Sequence, residues 1–109
     1  MDGGNGGQPV KKLFISQPMN GKSDEEILRE RETAVHEAEK LLGETVDLID
    51  SFFQGAPHTA NKPLWYLAKA LELLSTADAA YFAPGWDNTR GCLIEHACAE
   101  AYGIPVVGD

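Results

Sequence analysis

Residues 79–107, AAYFAPGWDNTRGCLIEHACAEAYGIPVV, decide the fold of this chain. An apolar run at 79–83 leads into a polar turn with two glycines, an apolar-patterned helix follows, and a second apolar run closes the stretch at 103–107. The pattern predicts strand, turn, helix and strand, with Glu95 in the first turns of the helix. In an open parallel sheet, ligands bind beyond the carboxyl ends of the strands, where such turns lie. Because helical side chains lean toward the amino end of their helix, we expect Glu95 to point back toward that edge.

Two strands and a helix are predicted ahead of this stretch. Residues 12–17 (KLFISQ) and 45–50 (TVDLID) are short apolar runs typical of strands. Between them the pattern predicts a helix over 24–42, because Ser23 and Glu26 have the spacing of a capping box at its start. Apolar residues at helical spacing predict its buried face, made of Ile27, Ala34, Val35, Ala38, Leu41 and Leu42.

A second helix is predicted over 63–75, with an inner face made of Leu64, Leu67, Leu71 and Leu74. The connection before it, residues 51–62, is longer than ordinary connections, which suggests a function. Strands that alternate with helices predict an α/β fold. We expect a three-layer sandwich with a small parallel sheet of about four strands, similar to the flavodoxin and Rossmann folds.

Length, charge and cysteine content narrow the class of protein. We expect one domain over 11–109, behind a flexible glycine-rich tail at 1–10 that does not read as a signal peptide. The net charge of −8 argues against nucleic acid polymers and anionic membranes, which both need a basic face. No apolar run approaches the roughly 20 residues that cross a bilayer. Cys92 and Cys98 share one predicted helix at a spacing that does not suit a disulfide, so we expect a soluble cytoplasmic domain with free thiols.

The loop after the first strand, residues 16–23 (SQPMNGKS), resembles a phosphate-binding P-loop. It lacks the glycine that the pattern requires at Ser16, and Pro18 has no amide hydrogen to offer a phosphate. A nucleoside triphosphatase is therefore disfavoured. A capped surface turn and a ligand-lining turn at the start of a helix both stay open.

Cys92, His96 and Cys98 suggest a metal site at first sight. Cys92 and His96 are one helical turn apart, but Cys98 lies on another side of the same helix. A zinc site needs three or four ligands, and the rest of the chain offers no second set. We therefore expect neither a metal nor a cofactor, and we interpret both cysteines as small buried residues.

Glu95 is the strongest candidate for chemistry, with two possible companions. Asp78 opens an apolar strand, where a charge is unfavourable unless it is paired or functional. Arg90 either pairs with Asp87 or grips an anion through two hydrogen bonds. Glu95 itself lies about 100° from the centre of the expected core face, so a solvated carboxylate stabilised by the helix dipole is the alternative. That core face is predicted to hold Ile94, Ala97, Cys98 and Ala101.

Three segments together resemble the nucleoside 2-deoxyribosyltransferase superfamily. They are LFISQPMNG at 13–21, LSTADAAYF at 74–82 and GWDNTRGCLIEHACAEAYGIPV at 85–106. The likeness spans about residues 12–107. It is strongest to short, mostly uncharacterised domains beside the transferases, many of them phage-encoded.

The resemblance implies cleavage or transfer at the N-glycosidic bond of a 2′-deoxynucleoside or its 5′-monophosphate. Glu95 matches a glutamate that attacks C1′ and forms a covalent glycosyl intermediate, and Asp78 matches an acid that positions and protonates the base. A carboxylate close to C1′ stabilises an oxocarbenium-like transition state and can capture it, as in glycosidases with two carboxylates. The implied assembly is a homodimer or a larger homo-oligomer.

The same resemblance assigns contacts to a small-molecule substrate. The guanidinium of Arg90 beside the 5′ position suits a phosphate better than a free hydroxyl. The implied substrate-binding residues are Ser16, Gln17, Pro18, Met19, Gly21, His58, Gly85, Trp86, Asp87, Asn88, Thr89, Arg90 and Gly91.

Two hypotheses from other classes stay beside the enzyme. One is a non-catalytic nucleotide-binding domain, a sensor or a sponge, that uses the same pocket. The other is a structural or partner-binding domain whose acidic helix over 24–42 is a solvated face.

Overall fold

The computed structural model describes residues 10–51 and 55–108. Its four strands form one sheet in the order β2-β1-β3-β4, and every neighbouring pair is parallel. The predicted α/β fold with a small parallel sheet is confirmed. The elements are β1 (Lys11–Ser16), α1 (Asp24–Leu42), β2 (Val46–Leu48), α2 (Lys62–Leu74), β3 (Ala79–Phe82), α3 (Arg90–Ala101) and β4 (Val106–Val107).

Two cores lie on opposite faces of this sheet. Successive strand residues point to opposite faces, so Leu13 packs with Ala38 of α1 in one core. Phe14, the next residue of β1, packs with Leu74 of α2 and Ala99 of α3 in the other core. The sheet therefore lies between α1 on one face and α2 with α3 on the other, which is the predicted three-layer arrangement.

The chain changes direction between β1 and β3. The unit that follows β1 runs through α1 to β2 on one side, whereas the unit that follows β3 runs through α3 to β4 on the other. The register pairs Leu13 with Ala79 at one end and Ser16 with Phe82 at the carboxyl end. In open α/β sheets such a switch point opens a crevice beyond the carboxyl ends of the strands, and ligands bind there.

Local sequence signals set the bounds of α1 as predicted. The Ser23 hydroxyl accepts a hydrogen bond from the Glu26 amide at 3.1 Å, and the Glu26 carboxylate accepts one from the Ser23 amide at 3.0 Å. Gly43 ends the helix in the left-handed conformation, with φ of 74°. The other bounds fall within a few residues of the predicted ones. Within the described ranges, no helix is long and apolar enough to cross a membrane.

The predicted buried faces need three corrections. The buried side of α3 consists of Cys92, Glu95, His96 and Ala99, whereas Ile94, Ala97 and Ala101, which were expected inside, are exposed. Apolar residues occur on both sides of α3, so its sequence pattern does not identify the side that meets the sheet. Leu64 is exposed in the first turn of α2, where the helix borders a cleft. Leu41 is exposed because Leu42 takes the inner position at the end of α1.

Candidate active site

A cleft of about 960 Å³ opens at the carboxyl end of β1. Its walls come from the loop after β1, from Ser51 after β2, and from the first turns of α2 and α3. Parallel strands place their carboxyl ends, and the starts of the helices that follow, along one edge of the sheet. The cleft therefore forms at the switch point that the topology defines.

Glu95 lies in this cleft on the inner side of α3, with 9% of its surface exposed. The hydroxyl of Ser16 donates a hydrogen bond of 2.6 Å to its Oε1. Ser16 is the last residue of β1 and is itself buried. The carboxylate is therefore fixed against the end of β1, and the alternative of a solvated Glu95 is wrong.

Burial and one hydrogen bond act in opposite directions on the acidity of Glu95. Burial raises the pKa of its carboxyl group, and the Ser16 hydroxyl lowers it again by stabilising the anion. Among the described residues that line the cleft, Glu95 is the only acid. The site thus holds one partly desolvated carboxylate, which is a good nucleophile toward an electron-poor carbon once it is ionised.

Cys92 lies one turn before Glu95 and is a buried free thiol at the same cleft. Burial raises the pKa of this thiol, the charge of Glu95 raises it further, and the Ser16 hydroxyl lowers it. A thiol in such surroundings stays protonated at neutral pH and is a poor nucleophile. Cys98 is a half-buried free thiol, and the described part of the chain contains no group of side chains able to hold a metal ion.

The amino end of α3 adds hydrogen-bond donors to the cleft. Thr89, Arg90 and Gly91 line it, and the first amides of any helix have no partner within that helix. The Thr89 side chain caps none of them and donates instead to the Gly85 carbonyl oxygen at 3.3 Å. Amides at a helix start together with a guanidinium suit an anionic group.

Comparison with known proteins places the whole sheet in one family. Residues 11–108 match the family described as "Domain of unknown function (DUF4406)". The chain belongs to this family. No curated protein and no solved structure matches the chain significantly. The family description names no activity, and the cleft is the feature of the fold that bears on function.

This family member brings about half of the predicted site residues together. The resemblance implies these residues from their positions in sequence motifs. In the fold, some of them line the cleft, whereas others stabilise the loops beside it. Ser16 contacts Glu95 directly. The predicted residues that line the cleft are Gln17, Met19, Thr89, Arg90, Gly91 and Glu95.

Trp86 is turned toward the core instead of the cleft. Its ring stacks on His96 with centroids 4.1 Å apart and planes 11° apart, and it also contacts Phe82. Gly85 has φ of 89°, and a Cβ there would lie 3.4 Å from Pro18 Cγ, so the two loops touch at these residues. These three predicted contacts are therefore structural. Four further predicted residues are exposed outside the described lining: Gly21, His58, Asp87 and Asn88.

Asp78 lies at the opposite edge of the sheet from Glu95. It is exposed at the start of β3, where its Oδ2 accepts a hydrogen bond of 2.8 Å from the Lys12 amide. Glu95 contacts Ser16, which lies four residues further along β1, or about 13 Å at the usual rise of a strand. The structure therefore separates Asp78 from the cleft of its own chain, contrary to the predicted catalytic role, and gives it the structural role of pairing an edge amide.

Sequence reasoning missed several residues that line the cleft. They come from elements that carry no recognisable motif, and the signal that places them is connectivity. Any residue just after β2, and any residue in the first turns of the helix that leads to β3, must reach the carboxyl edge of a parallel sheet. Besides Asn20 in the loop after β1, the missed polar residues on the lining are Ser51, Asn61, Lys62 and Tyr66. Phe52 and Phe53, which belong to the connection over residues 51–62, lie outside the described residues.

Proposed function

We propose that this protein cleaves or transfers at the N-glycosidic bond of a 2′-deoxynucleoside or its 5′-monophosphate, with Glu95 as the nucleophile. The observation that carries the proposal is the buried Glu95 carboxylate, held by Ser16 at the carboxyl end of β1. A titratable group whose pKa is raised by burial and that borders a cleft is a candidate for chemistry. Close to C1′, its charge stabilises an oxocarbenium-like transition state.

The proposed reaction has two steps. A carboxylate oxygen of Glu95 attacks C1′ while the bond from C1′ to the base breaks, and the bonding electrons leave with the base. Water or a second base then attacks C1′, breaks the glycosyl ester and regenerates Glu95, which gives hydrolysis or base exchange. Because Oε1 holds the hydrogen bond from Ser16, Oε2 is the oxygen left to attack.

The departing base needs a proton or a hydrogen bond. Asp78 is exposed at the far edge of the sheet, so another group has to serve. Tyr66 is half-buried and lines the cleft from α2, whereas Glu95 lines it from α3. We assign the donor role to the Tyr66 hydroxyl, which can donate a hydrogen bond to the departing base.

The 5′ end of the substrate is proposed to lie at the amino end of α3. The amides of the first turn, together with Arg90, provide the donors that a phosphate requires. This side of the cleft favours a 5′-monophosphate over a free nucleoside. It is also compatible with the overall charge of −8, because only a local cluster of donors is needed.

The test is release of free base from a panel of deoxynucleosides and their 5′-monophosphates, followed by chromatography. We expect release by the wild type and a fall of at least about 10³-fold in Glu95→Gln, as for the loss of a nucleophile. Glu100→Gln is the matched control, since Glu100 is an exposed glutamate on the same helix. Thermal stabilisation by nucleotides without release would favour the non-catalytic binding domain. Silence in both assays would overturn the proposal.

A second copy of the chain is the proposed partner. The outer side of α3, formed by Ile94, Ala97 and Ala101, is exposed and apolar. An exposed apolar surface of this kind is a candidate for contact with a partner. We therefore propose that two copies pack through this surface, which borders the cleft because Ile94 lines it.

The two free thiols agree with the proposed cytoplasmic location.

A further inference from the structure

Gln17 places an unpaired hydrogen-bond acceptor in the wall of the cleft. This residue follows β1 directly, lines the cleft and is 5% exposed. Its Nε2 donates to the Ile27 carbonyl oxygen at 3.0 Å. A carbonyl oxygen only accepts, so this contact fixes which way the amide points. The other end of the amide, Oε1, is buried without a hydrogen-bond partner in the described structure.

Arg31 leaves unpaired donors behind the same wall. It lies one turn beyond Ile27 on α1, is 5% exposed, and donates from Nη1 to the Ser51 hydroxyl at 2.8 Å. Its Nε and Nη2 have no hydrogen-bond partner among the residues described. Burial lowers the pKa of this guanidinium, and the charge of Asp50 raises it again. Since Ser51 lines the cleft, the guanidinium stands directly behind its surface. Buried polar groups without partners are rare in native proteins.

The alternation of β1 puts these groups opposite Glu95. Ser16 reaches Glu95 on the face of the sheet that α3 covers, whereas Gln17 reaches Ile27 on the face that α1 covers. The cleft passes over the end of β1 and touches both sides. A ligand with its reacting carbon at Glu95 that extends across the end of β1 therefore brings another part of itself to Gln17.

We infer that the α1 side of the cleft recognises the amino-bearing edge of a nucleobase, as in cytosine or adenine. This inference rests on the proposed function, which places the glycosidic carbon at Glu95. The exocyclic amino group donates to Gln17 Oε1, and the adjacent ring nitrogen accepts from Arg31. Both protein groups are almost fully covered in the unliganded chain, so the wall shifts slightly as the base enters, as side chains commonly do on binding.

The acceptor at Gln17 disfavours bases that carry a keto oxygen in place of the amino group. Uracil and hypoxanthine carry an oxygen where cytosine and adenine carry the amino group. That oxygen would face Gln17 Oε1, so that two acceptors meet and neither is satisfied. A phosphate would also bring acceptor oxygens to Gln17 Oε1. The protein groups that can donate hydrogen bonds to a phosphate lie at the amino end of α3. The ligand is therefore oriented with its base toward α1 and its 5′ end toward Arg90.

The test uses two pairs of nucleotides that differ by an amino group in place of a keto group. They are dCMP with dUMP and dAMP with dIMP, titrated calorimetrically into the full chain carrying Glu95→Gln, so that bound nucleotide is not consumed. We expect the amino member to bind at least about tenfold more tightly in each pair. Adding Gln17→Met, which removes the acceptor at similar volume, should lower the ratio but leave it above one, because the ring nitrogen of the amino member still accepts from Arg31, whereas that of the keto member carries a hydrogen. Asn20→Leu removes an exposed amide from the same cleft and should leave the ratio unchanged.

The outcomes separate this inference from the proposed function. Equal affinities within each pair, or a ratio that Gln17→Met leaves unchanged, would overturn the inference while nucleotide binding stands. If none of the four nucleotides binds to Glu95→Gln or to the wild type, the proposed function is overturned as well. Circular dichroism shows whether the protein carrying Gln17→Met folds. If it does not, the affinity ratio measured with Glu95→Gln alone tests the inference.

Discussion

At the residue scale, the proposed reaction requires Glu95 to be ionised, yet its surroundings oppose ionisation. Burial favours its neutral form, and the single hydrogen bond from Ser16 favours the anion. A carboxylate that is stabilised only partly keeps its basicity, which is the property a nucleophile needs. In the proposed reaction Ser16 is therefore a positioning residue, because it would act on substrate through Glu95.

This balance predicts a shift in the pH dependence of base release. The reaction needs the Glu95 anion, so kcat/KM rises with pH through the pKa of Glu95. Ser16→Ala removes the hydrogen bond that lowers this pKa, and the acidic limb should move to higher pH. The check is a pH profile of kcat/KM, with Ser75→Ala, an exposed serine at the end of α2, as control. A limb that stays in place would show that Ser16 does not tune Glu95.

The same burial predicts a pH-dependent gain of stability in Glu95→Gln. A carboxyl group whose pKa is raised by folding binds its proton more tightly in the folded state, so its ionisation destabilises the fold as pH rises. Glutamine has no such ionisation and can still accept from Ser16. Urea unfolding from acid to neutral pH should show equal stabilities in acid and a more stable variant at neutral pH. A difference in stability between the variant and the wild type that does not grow as pH rises would contradict this account.

At the element scale, strands and helices follow from local signals, whereas the faces they present do not. The capping box at Ser23 and the left-handed Gly43 fix α1 as its sequence predicts. α3 carries apolar residues on two sides, so packing against the sheet decides that Glu95 turns inward. The sequence correctly predicts Asp78 at the start of a strand. Because that strand runs parallel to β1, its start lies at the amino ends of the strands, away from Glu95. The unpaired amide of Gln17 depends on a contact with α1 that no local pattern encodes.

The turn before α3 predicts a structural role for Trp86. Its ring stacks on His96 and contacts Phe82, so Trp86→Ala should lower the free energy of unfolding by about 2 kcal/mol or more. Denaturant unfolding measures this loss. Trp86→Phe keeps part of the aromatic contact and should lose less. A raised KM with unchanged stability would instead assign the ring to substrate.

At the scale of the whole molecule, the cleft and the proposed interface between copies share α3. The inner side of this helix supplies Glu95 to the cleft, and its outer side leaves Ile94, Ala97 and Ala101 exposed. Covering that outer side with a second copy would place a neighbour beside each cleft. Assembly and activity are then expected to depend on one helix.

This arrangement predicts that a charge at the centre of the outer side disrupts the assembly. We expect the wild type to sediment as a dimer or larger species and Ala97→Arg to sediment as a monomer. Thr33→Arg, an exposed substitution on α1 across the sheet, should leave the assembly intact. A wild type that is monomeric at high concentration, or an Ala97→Arg variant that assembles as before, would place the interface elsewhere or remove it.

The central claim is that Glu95 attacks C1′, and capture of the glycosyl intermediate tests it most directly. A 2′-fluoro-2′-deoxynucleotide slows breakdown of such an ester because fluorine destabilises the oxocarbenium-like state. The protein would be incubated with this analogue, quenched in acid, digested and mapped by mass spectrometry. The account predicts a mass increase of one fluorinated sugar phosphate on the peptide that contains Glu95, and no adduct in Glu95→Gln. Base release from the natural nucleotide with no adduct, or an adduct on another residue, would contradict it.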